Sequence, residues 1–426
     1  MASMCEPLSA ELTPAEHGLL LRLQRQALQY FIDAQVPSGL ILDRQSNHGP
    51  RRSDGLCSLA ATGMGMITLA LASAPPYRLL SPATAALRIR AALRGALERL
   101  PHDHGVVPHF VDAVTGAVHG SDYLSTVETA WLVAGAQWAA HFLHDHGLRV
   151  LADRLYERVD WHYWTVPEAA DARGLLRHGK GRDGRFLPCC WDRINGETIF
   201  MYVLGAGAAD GKALGDDCVR KLRPFYGSVA GFQYNNADLG LFVFQYGLDL
   251  LDLYRWRVAD TVDLMAEARL ATQANERTCR HSADRFATYQ RYWGVSAGDG
   301  PDEPPEPDIY RCYTPAEPLD GTAHLMAALA SVAHGPRAVL ENVRQAQHDE
   351  LRPLGRYGLS NVNVDRRWVS RDMVGIDAGA AVLALDNYLM FNRVRHTFHQ
   401  LPCVQRGLHR LGFRTEVADE EARQAS

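Results

Sequence analysis

Apolar positions along this chain recur at intervals of three and four residues, a spacing that predicts helices almost throughout. Thr13-Pro14-Ala15-Glu16 reads as an N-cap, a proline at the first helical position and a capping glutamate. Leu19, Leu20, Leu23, Ala27, Tyr30 and Phe31 then share one face. Further helical segments, some amphipathic and some apolar on every side, are expected near 57–73, 82–100, 123–145, 147–160, 195–208, 214–224, 237–254, 259–279, 320–334, 336–350 and 376–396.

The connections between these segments differ in kind. Some are short, as at His146-Gly147 and Gly335-Pro336. Others, near 36–56, 101–122, 161–194, 280–319 and 352–375, are long and rich in Gly, Pro, Trp and Tyr. Long loops inside a compact domain are usually functional. Strand alternation is confined to them, as in the run 105–111, which fits a short hairpin arm. Residues 299–308 are an acidic, proline-rich insertion expected to form a surface flap.

About twelve helices arranged in pairs fit an all-α fold, a single (α/α)6 toroid with its long loops gathered on one face. Closure into a ring accounts for one domain in a chain of 426 residues, beyond the ~250–300 at which single cores usually stop growing. An α-solenoid would show self-similarity at a fixed period, and none is visible. The expected organisation is an N-terminal extension over 1–12, the toroid over 13–400, and a C-terminal extension with a polar tail over 401–426.

Composition narrows the function. The chain is 47% hydrophobic and 22% charged, with 44 Lys and Arg against 49 Asp and Glu. A formal charge of −5 disfavours nucleic acid or an anionic membrane as partner and suits a neutral ligand such as a sugar. No apolar run is long enough to span a bilayer and no secretory signal is visible, so the sequence as written reads as cytoplasmic, or periplasmic if a leader has been trimmed. The eight cysteines are scattered without a C-x-x-C pair and are expected to be free thiols. His102-Asp103-His104-Gly105 and His144-Asp145-His146-Gly147 look like helix terminations, and no zinc spacing occurs, so neither a metal nor a cofactor is expected. Phosphate-binding glycine loops and a G-x-S-x-G elbow are also missing.

Three stretches carrying acidic residues stand out. Glu197 follows Asn195-Gly196 at the start of an apolar helix, where Trp191, Phe200 and Tyr202 can supply apolar walls. A proton-donating carboxyl needs such burial to stay protonated near neutrality. Glu128 opens the apolar helix from Ala130, with Asp122 just before it. Asp372 and Asp377 flank a short apolar link before the small-residue helix, with Arg371 placed to pair with either. Read locally, each carboxylate also fits a capping or ion-pairing role. The long loops add Trp161, Trp164, Trp191, Phe232, Tyr234, Tyr289, Tyr292, Trp293, Tyr310, Tyr313, Tyr357 and Trp368, rings on which a pyranose can stack or which pack onto the barrel.

Ser38-Gly39-Leu40, Ala61-Thr62-Gly63-Met64-Gly65, His104-Gly105-Val106-Val107-Pro108-His109, Val127-Glu128-Thr129-Ala130, Asn195-Gly196-Glu197, Trp293-Gly294, Ser296-Ala297-Gly298-Asp299-Gly300, Ile376-Asp377-Ala378-Gly379 and Asp386-Asn387-Tyr388 occur in an order and spacing that carry a resemblance. From about Tyr30 to Asn392 the chain resembles the glycoamylase-like (α/α)6 family of bacterial β-1,2-glucan enzymes. That family includes endo-β-1,2-glucanases of glycoside hydrolase family 144 and the transglycosylating domain of cyclic β-1,2-glucan synthases. The resemblance implies a glycoside hydrolase whose partner is an oligo- or polysaccharide, β-1,2-glucan. It implies Glu197 as general acid, Asp377 as base with Asp372 as its rival, and Glu128 as a pocket glutamate that looks like the nucleophile in the transglycosylating relatives. Before Glu128 the sequence departs from the hydrolase pattern, with Ser121 and Ser125 present and Asp122 displaced by one. The expected substrate-binding set is Arg44, His109, Asp122, Trp191, Tyr234, Tyr289, Trp293, Asp299, Tyr313, Tyr357, Trp368 and Arg371. An inverting hydrolase is the leading expectation; a retaining transglycosylase using Glu128, and a glycan-binding protein without activity, are the alternatives.

Overall fold

The computed structural model describes residues 12–120, 122–167, 172–258, 261–302 and 308–415. Five helices are almost wholly enclosed: α2 (Leu59–Ser73), α4 (Thr126–Phe142), α6 (Gly196–Ala206), α8 (Leu325–Ala330) and α10 (Gly375–Leu389). Helices apolar on every side can only be satisfied inside a ring of other helices. α2 packs on α4, α4 on α6, α8 on α10 and α10 on α2, and the segment from Leu241 to Tyr254 fills the place between α6 and α8.

Around this inner ring stand amphipathic helices: α1 (Pro14–Ala34), α3 (Pro82–Glu98), α5 (His146–Glu157), α7 (Leu264–His281), α9 (Pro336–His348) and α12 (Pro402–Arg410). The fold is thus an all-α toroid with small peripheral sheets. The ring closes where α1 meets α10 and where Glu16 of the Thr13 capping box accepts from Arg337 of α9 at 2.8 Å. α12 lies beyond the boundary expected at residue 400, yet it serves as the outer partner of α6. The backbones there nearly touch: a Cβ on Gly407 would sit 1.9 Å from the Val203 carbonyl oxygen.

Two expected helices are absent as such. Residues 214–224 yield only a 3-10 turn, Cys218–Lys221. Residues 237–254 form a 3-10 turn, Leu241–Phe244, followed by irregular turns. Gly247 breaks that segment with φ +79°, and a Cβ on it would lie 2.2 Å from the Gly196 carbonyl oxygen, so the break lets the start of α6 approach closely. The long helix expected over 376–396 divides into α10 and α11 (Arg393–His399), with Asn392 left-handed between them. The core of the 299–308 flap, residues 303–307, and the tail from 416 lie outside the described residues.

The two faces of the ring differ. Every small sheet except the hairpin Tyr226–Val229 with Phe232–Asn235 and the pairing of Trp256–Arg257 with Arg414–Thr415 lies in a connection that runs from an outer helix into the next inner segment. These connections form a rim at the N-terminal ends of the inner helices. On the opposite face α11 crosses beneath the ring. Trp138 of α4 donates to its Val394 carbonyl at 2.9 Å, and Arg395, almost wholly buried, donates to the Leu248 carbonyl at 2.8 Å.

Candidate active site

Because every inner helix presents its N-terminus to the rim, first-turn residues there face a common floor. Three of them are acids: Glu128 on α4, Glu197 on α6 and Asp377 on α10. Glu197 is the one residue of α6 that is not buried, although protein surrounds it closely. It is not the helix cap, since Asn195 accepts from the Thr198 amide at 2.8 Å and fills that role. Its carboxyl accepts instead from the Trp131 indole N–H at 3.1 Å. Burial pushes its pKa up to about 7, with the Trp131 hydrogen bond working against the rise and the nearby Glu128 adding to it.

Glu128 is also not a backbone cap. Ser125 donates its hydroxyl to one carboxylate oxygen, and His109 Nε2 lies 3.0 Å from the other. Asp377 has no hydrogen-bond or ion-pair partner among the described residues. Its pKa is pushed up to about 8, by burial first, then by Asp299 and Asp43, with Arg44 opposing. Tyr246 links the two sides of the floor. Its phenol is raised by burial and by the charges of Asp377 and Glu197, and its ring meets Trp131 edge-on at 6.1 Å between centroids.

On the Asp377 side the loop after α1 is hydrogen-bonded to the entry of α10. Arg44 pairs with Val374 and Ser46 with Asp372, and the Gly375 amide donates to the Asp43 carbonyl at 2.6 Å. Arg44 reaches from this strand to buried Asp299 at 3.1 Å and to Asp43 at 3.2 Å. The strand Ala297–Pro301 that carries Asp299 pairs with Asp308–Cys312, so Asp299 stands opposite Tyr310. Tyr310 is 42% exposed, and its phenol is raised by burial of the hydroxyl end and by Asp377.

The family model described as "Putative glucoamylase" matches residues 190–402, half of the chain. The chain belongs to this glycoamylase family. An exo β-1,2-glucooligosaccharide sophorohydrolase (non-reducing end) from Parabacteroides distasonis is 23% identical over 360 residues, which are 74% of this chain and 48% of that protein. The chain therefore spans about half the length of the curated relative it matches. The crystal structure of a putative glucoamylase from Bacteroides caccae superposes with a TM-score of 0.81 at 21% identity, covering 94% of this chain and 100% of that one. An endo-β-1,2-glucanase from Chitinophaga pinensis, in complex with sophorotriose and glucose, gives 0.79 at 18%, covering 95% and 99%. At these identities the superpositions establish the fold.

Within this glycoamylase-family ring the remaining expected site residues divide. Trp191 stands on the wall beside Glu128, stacked on His178 at 4.0 Å and donating to the Thr126 hydroxyl at 3.0 Å. Asp372 is partly buried at the strand edge, its pKa raised by burial against the pull of Arg371 and Arg44. Arg371 is exposed, and its amide donates to Asp308 at 3.2 Å. Trp368 donates to the other oxygen of Asp308 at 2.8 Å. Asp122 has its backbone in a strand opposite Gly181, and its side chain lies outside the described residues.

Four aromatic expectations are corrected. Tyr234, Tyr289, Trp293 and Tyr357 are 1%, 4%, 4% and 0% exposed, so no face remains for a sugar. Each serves packing instead. Tyr234 meets Phe244, Tyr289 donates to the Thr322 carbonyl, Trp293 donates to the Ala338 carbonyl, and Tyr357 is hydrogen-bonded with Asp33 and Gln45. Tyr313 likewise lies under the 297–312 hairpin, its hydroxyl donating to Asp320 at 2.9 Å. Trp131, Tyr246 and Asp43 belong to the floor, although the sequence did not single them out. The i, i+3 spacing of Glu128 and Trp131 was the available signal for Trp131.

Among the described residues no group of three or more His, Cys, Asp or Glu has the arrangement to hold a metal ion. None of the described helices is long and apolar enough to cross a membrane.

Proposed function

We propose that this chain is an endo-acting glycoside hydrolase of β-1,2-glucan, with Glu197 protonating the glycosidic oxygen and Asp377 receiving the proton of the attacking water. The observation that carries this reading is the environment of Glu197: a first-turn carboxyl, released from capping by Asn195, set against Trp131 and raised to about 7. Such a group holds its proton in a large fraction of molecules near neutrality and can donate it to a leaving oxygen. The β-1,2-glucan activities named for the relatives from Parabacteroides and Chitinophaga support the choice of substrate.

Tyr246 lies within electrostatic reach of both Glu197 and Asp377, which supports their facing one floor. Inversion needs roughly 6.5–9.5 Å between the carboxyls and retention roughly 5–5.5 Å. The productive form has Glu197 protonated and Asp377 ionised. Activity then falls with an acidic limb placed near 7 by the Glu197 pKa and an alkaline limb placed near 8 by the Asp377 pKa. Because the base lies above the acid, the profile is a narrow bell centred between these values.

The reading is tested by incubating the protein with linear and cyclic β-1,2-glucans beside β-1,3- and β-1,4-glucans, sizing the products and following the first anomer by NMR. Mixed-length β-1,2 products released as α-anomers are expected. Disaccharide release alone would replace endo- with exo-action. First products of β-configuration would assign the nucleophile to Glu128, and binding without turnover would make the chain a glycan-binding protein.

A further inference from the structure

Ser125 occupies the N-cap of α4, where a serine ordinarily accepts a hydrogen bond from the helix backbone; here its side chain makes no capping bond. Its hydroxyl is turned onto Glu128, and its backbone is fixed on both sides. The Ser125 amide donates to the Val107 carbonyl at 2.9 Å, and its carbonyl accepts from Thr129 Oγ1 at 2.8 Å. His109 follows Val107 and Pro108 in the same loop, is stacked on Phe110 at 4.0 Å and meets the second oxygen of Glu128. His109 Nε2 thus stands at ion-pair distance from the carboxylate, where a ring N–H can only be favourable to the charged form. Glu128 and Trp131 lie three residues apart on one face of α4, and Trp131 holds Glu197.

We propose that Ser125 and His109 are positioning residues that hold Glu128 as a fixed anion, and that this anion, rather than attacking the sugar, keeps the proton on Glu197. The inference rests on Glu197 being the proton donor and adds the device that sets its proton affinity. A negative charge beside a carboxyl makes loss of its proton less favourable. The Ser125 hydroxyl bond and the His109 ring nitrogen beside Glu128, set against the indole donor on Glu197, favour the charge on Glu128 and the proton on Glu197. The charged and titratable groups around the pair fit this division. Glu128 is faced by Ser125 and His109 from the loop side and by Glu197 from α6; Glu197 is faced by Trp131, and it and Asp377 both lie within electrostatic reach of Tyr246. Asp43, in the loop after α1, also lies within electrostatic reach of His109.

The test compares the wild type with Ser125→Ala, His109→Gln, Glu128→Gln and Glu197→Gln, using pH profiles of kcat/KM on β-1,2-gluco-oligosaccharides. In parallel, carboxyl carbon-13 NMR titrates Glu197, its resonance identified by its loss in Glu197→Gln. Glu128→Gln is expected to retain measurable turnover, with the acidic limb, which the lower-lying Glu197 pKa places, and the Glu197 titration both moved to lower pH by roughly one unit. Ser125→Ala and His109→Gln are expected to move both in the same direction by less, without the rise in KM that loss of a substrate contact would bring. A Glu197 titration unchanged in Glu128→Gln overturns the proposal, as does loss of all turnover in that variant while its fold and oligosaccharide binding persist. The NMR arm needs no substrate, so a wild type that hydrolyses no glucan refutes the activity reading while the titration still decides the proposal.

Discussion

Helix α10 carries two aspartates that the ring treats in opposite ways. Asp386, near its C-terminal end, is sealed from solvent and fully engaged, accepting from Tyr77 at 3.0 Å, from Arg393 Nε at 3.0 Å and from a second nitrogen of the same guanidinium. Asp377, in the first turn, has acids for neighbours and no direct partner among the described residues. An enclosed carboxyl without a partner is costly, and a fold built for stability alone would pair it. The far face therefore uses its buried charges to hold helices together, whereas the rim keeps them available.

Four substitutions can break or sharpen that contrast. The largest effect is expected at the rim: Glu197→Gln should lower kcat by about 10²–10⁴-fold while isothermal titration still registers oligosaccharide binding. Full activity in that variant would remove the proton donor from the rim. On the far face, Asp386→Ala should lower the unfolding free energy by about 3 kcal/mol in urea melts, because it strips Arg393 of its carboxylate, and should leave the pH profile of the surviving enzyme in place.

Asp377→Asn should do the reverse, reducing turnover and stabilising the fold. The folded pKa of Asp377, about 8, lies above its unfolded value, so this group's contribution to stability is greatest in acid. That contribution is lost progressively as pH rises from the unfolded pKa of about 4 through the folded one. An asparagine cannot ionise, so the gain in Tm over wild type should grow across that window and level off above it; a gain independent of pH would contradict the assignment. The smallest effect is expected at Tyr310, where replacement by alanine should raise KM several-fold, about 1 kcal/mol, if its exposed ring carries a sugar, and replacement by phenylalanine should not.

Much of this contrast is legible in the sequence. Unbroken apolar runs such as Leu59–Ser73 and Leu325–Ala330 mark inner helices, because only a ring interior accepts a helix without a polar face. A lone acid at the entry of such a run, as with Glu128, Glu197 and Asp377, can then point only to the open end. The sixth inner segment was less legible. Its apolar content resembles the others, but Gly247 serves a close backbone contact with α6 that no local pattern announces. Tyr246 lies in the same segment, just before the break, and nothing in the local pattern sets it apart. Among the loop aromatics, Trp191 and Tyr310 could not be told from Tyr289 or Trp293, since the side to which a loop ring turns depends on what the loop lies against. Capping was a fair local reading of Glu197 until Asn195 was seen to occupy that role.

The passage of α11 beneath the ring has one more consequence. With Val394 tied to Trp138 and Arg395 tied to Leu248, the toroid is a blind pit and not a tunnel. A long glycan cannot be threaded through it; it can only lie across the mouth or dip an end inside, and must leave by the opening through which it arrived.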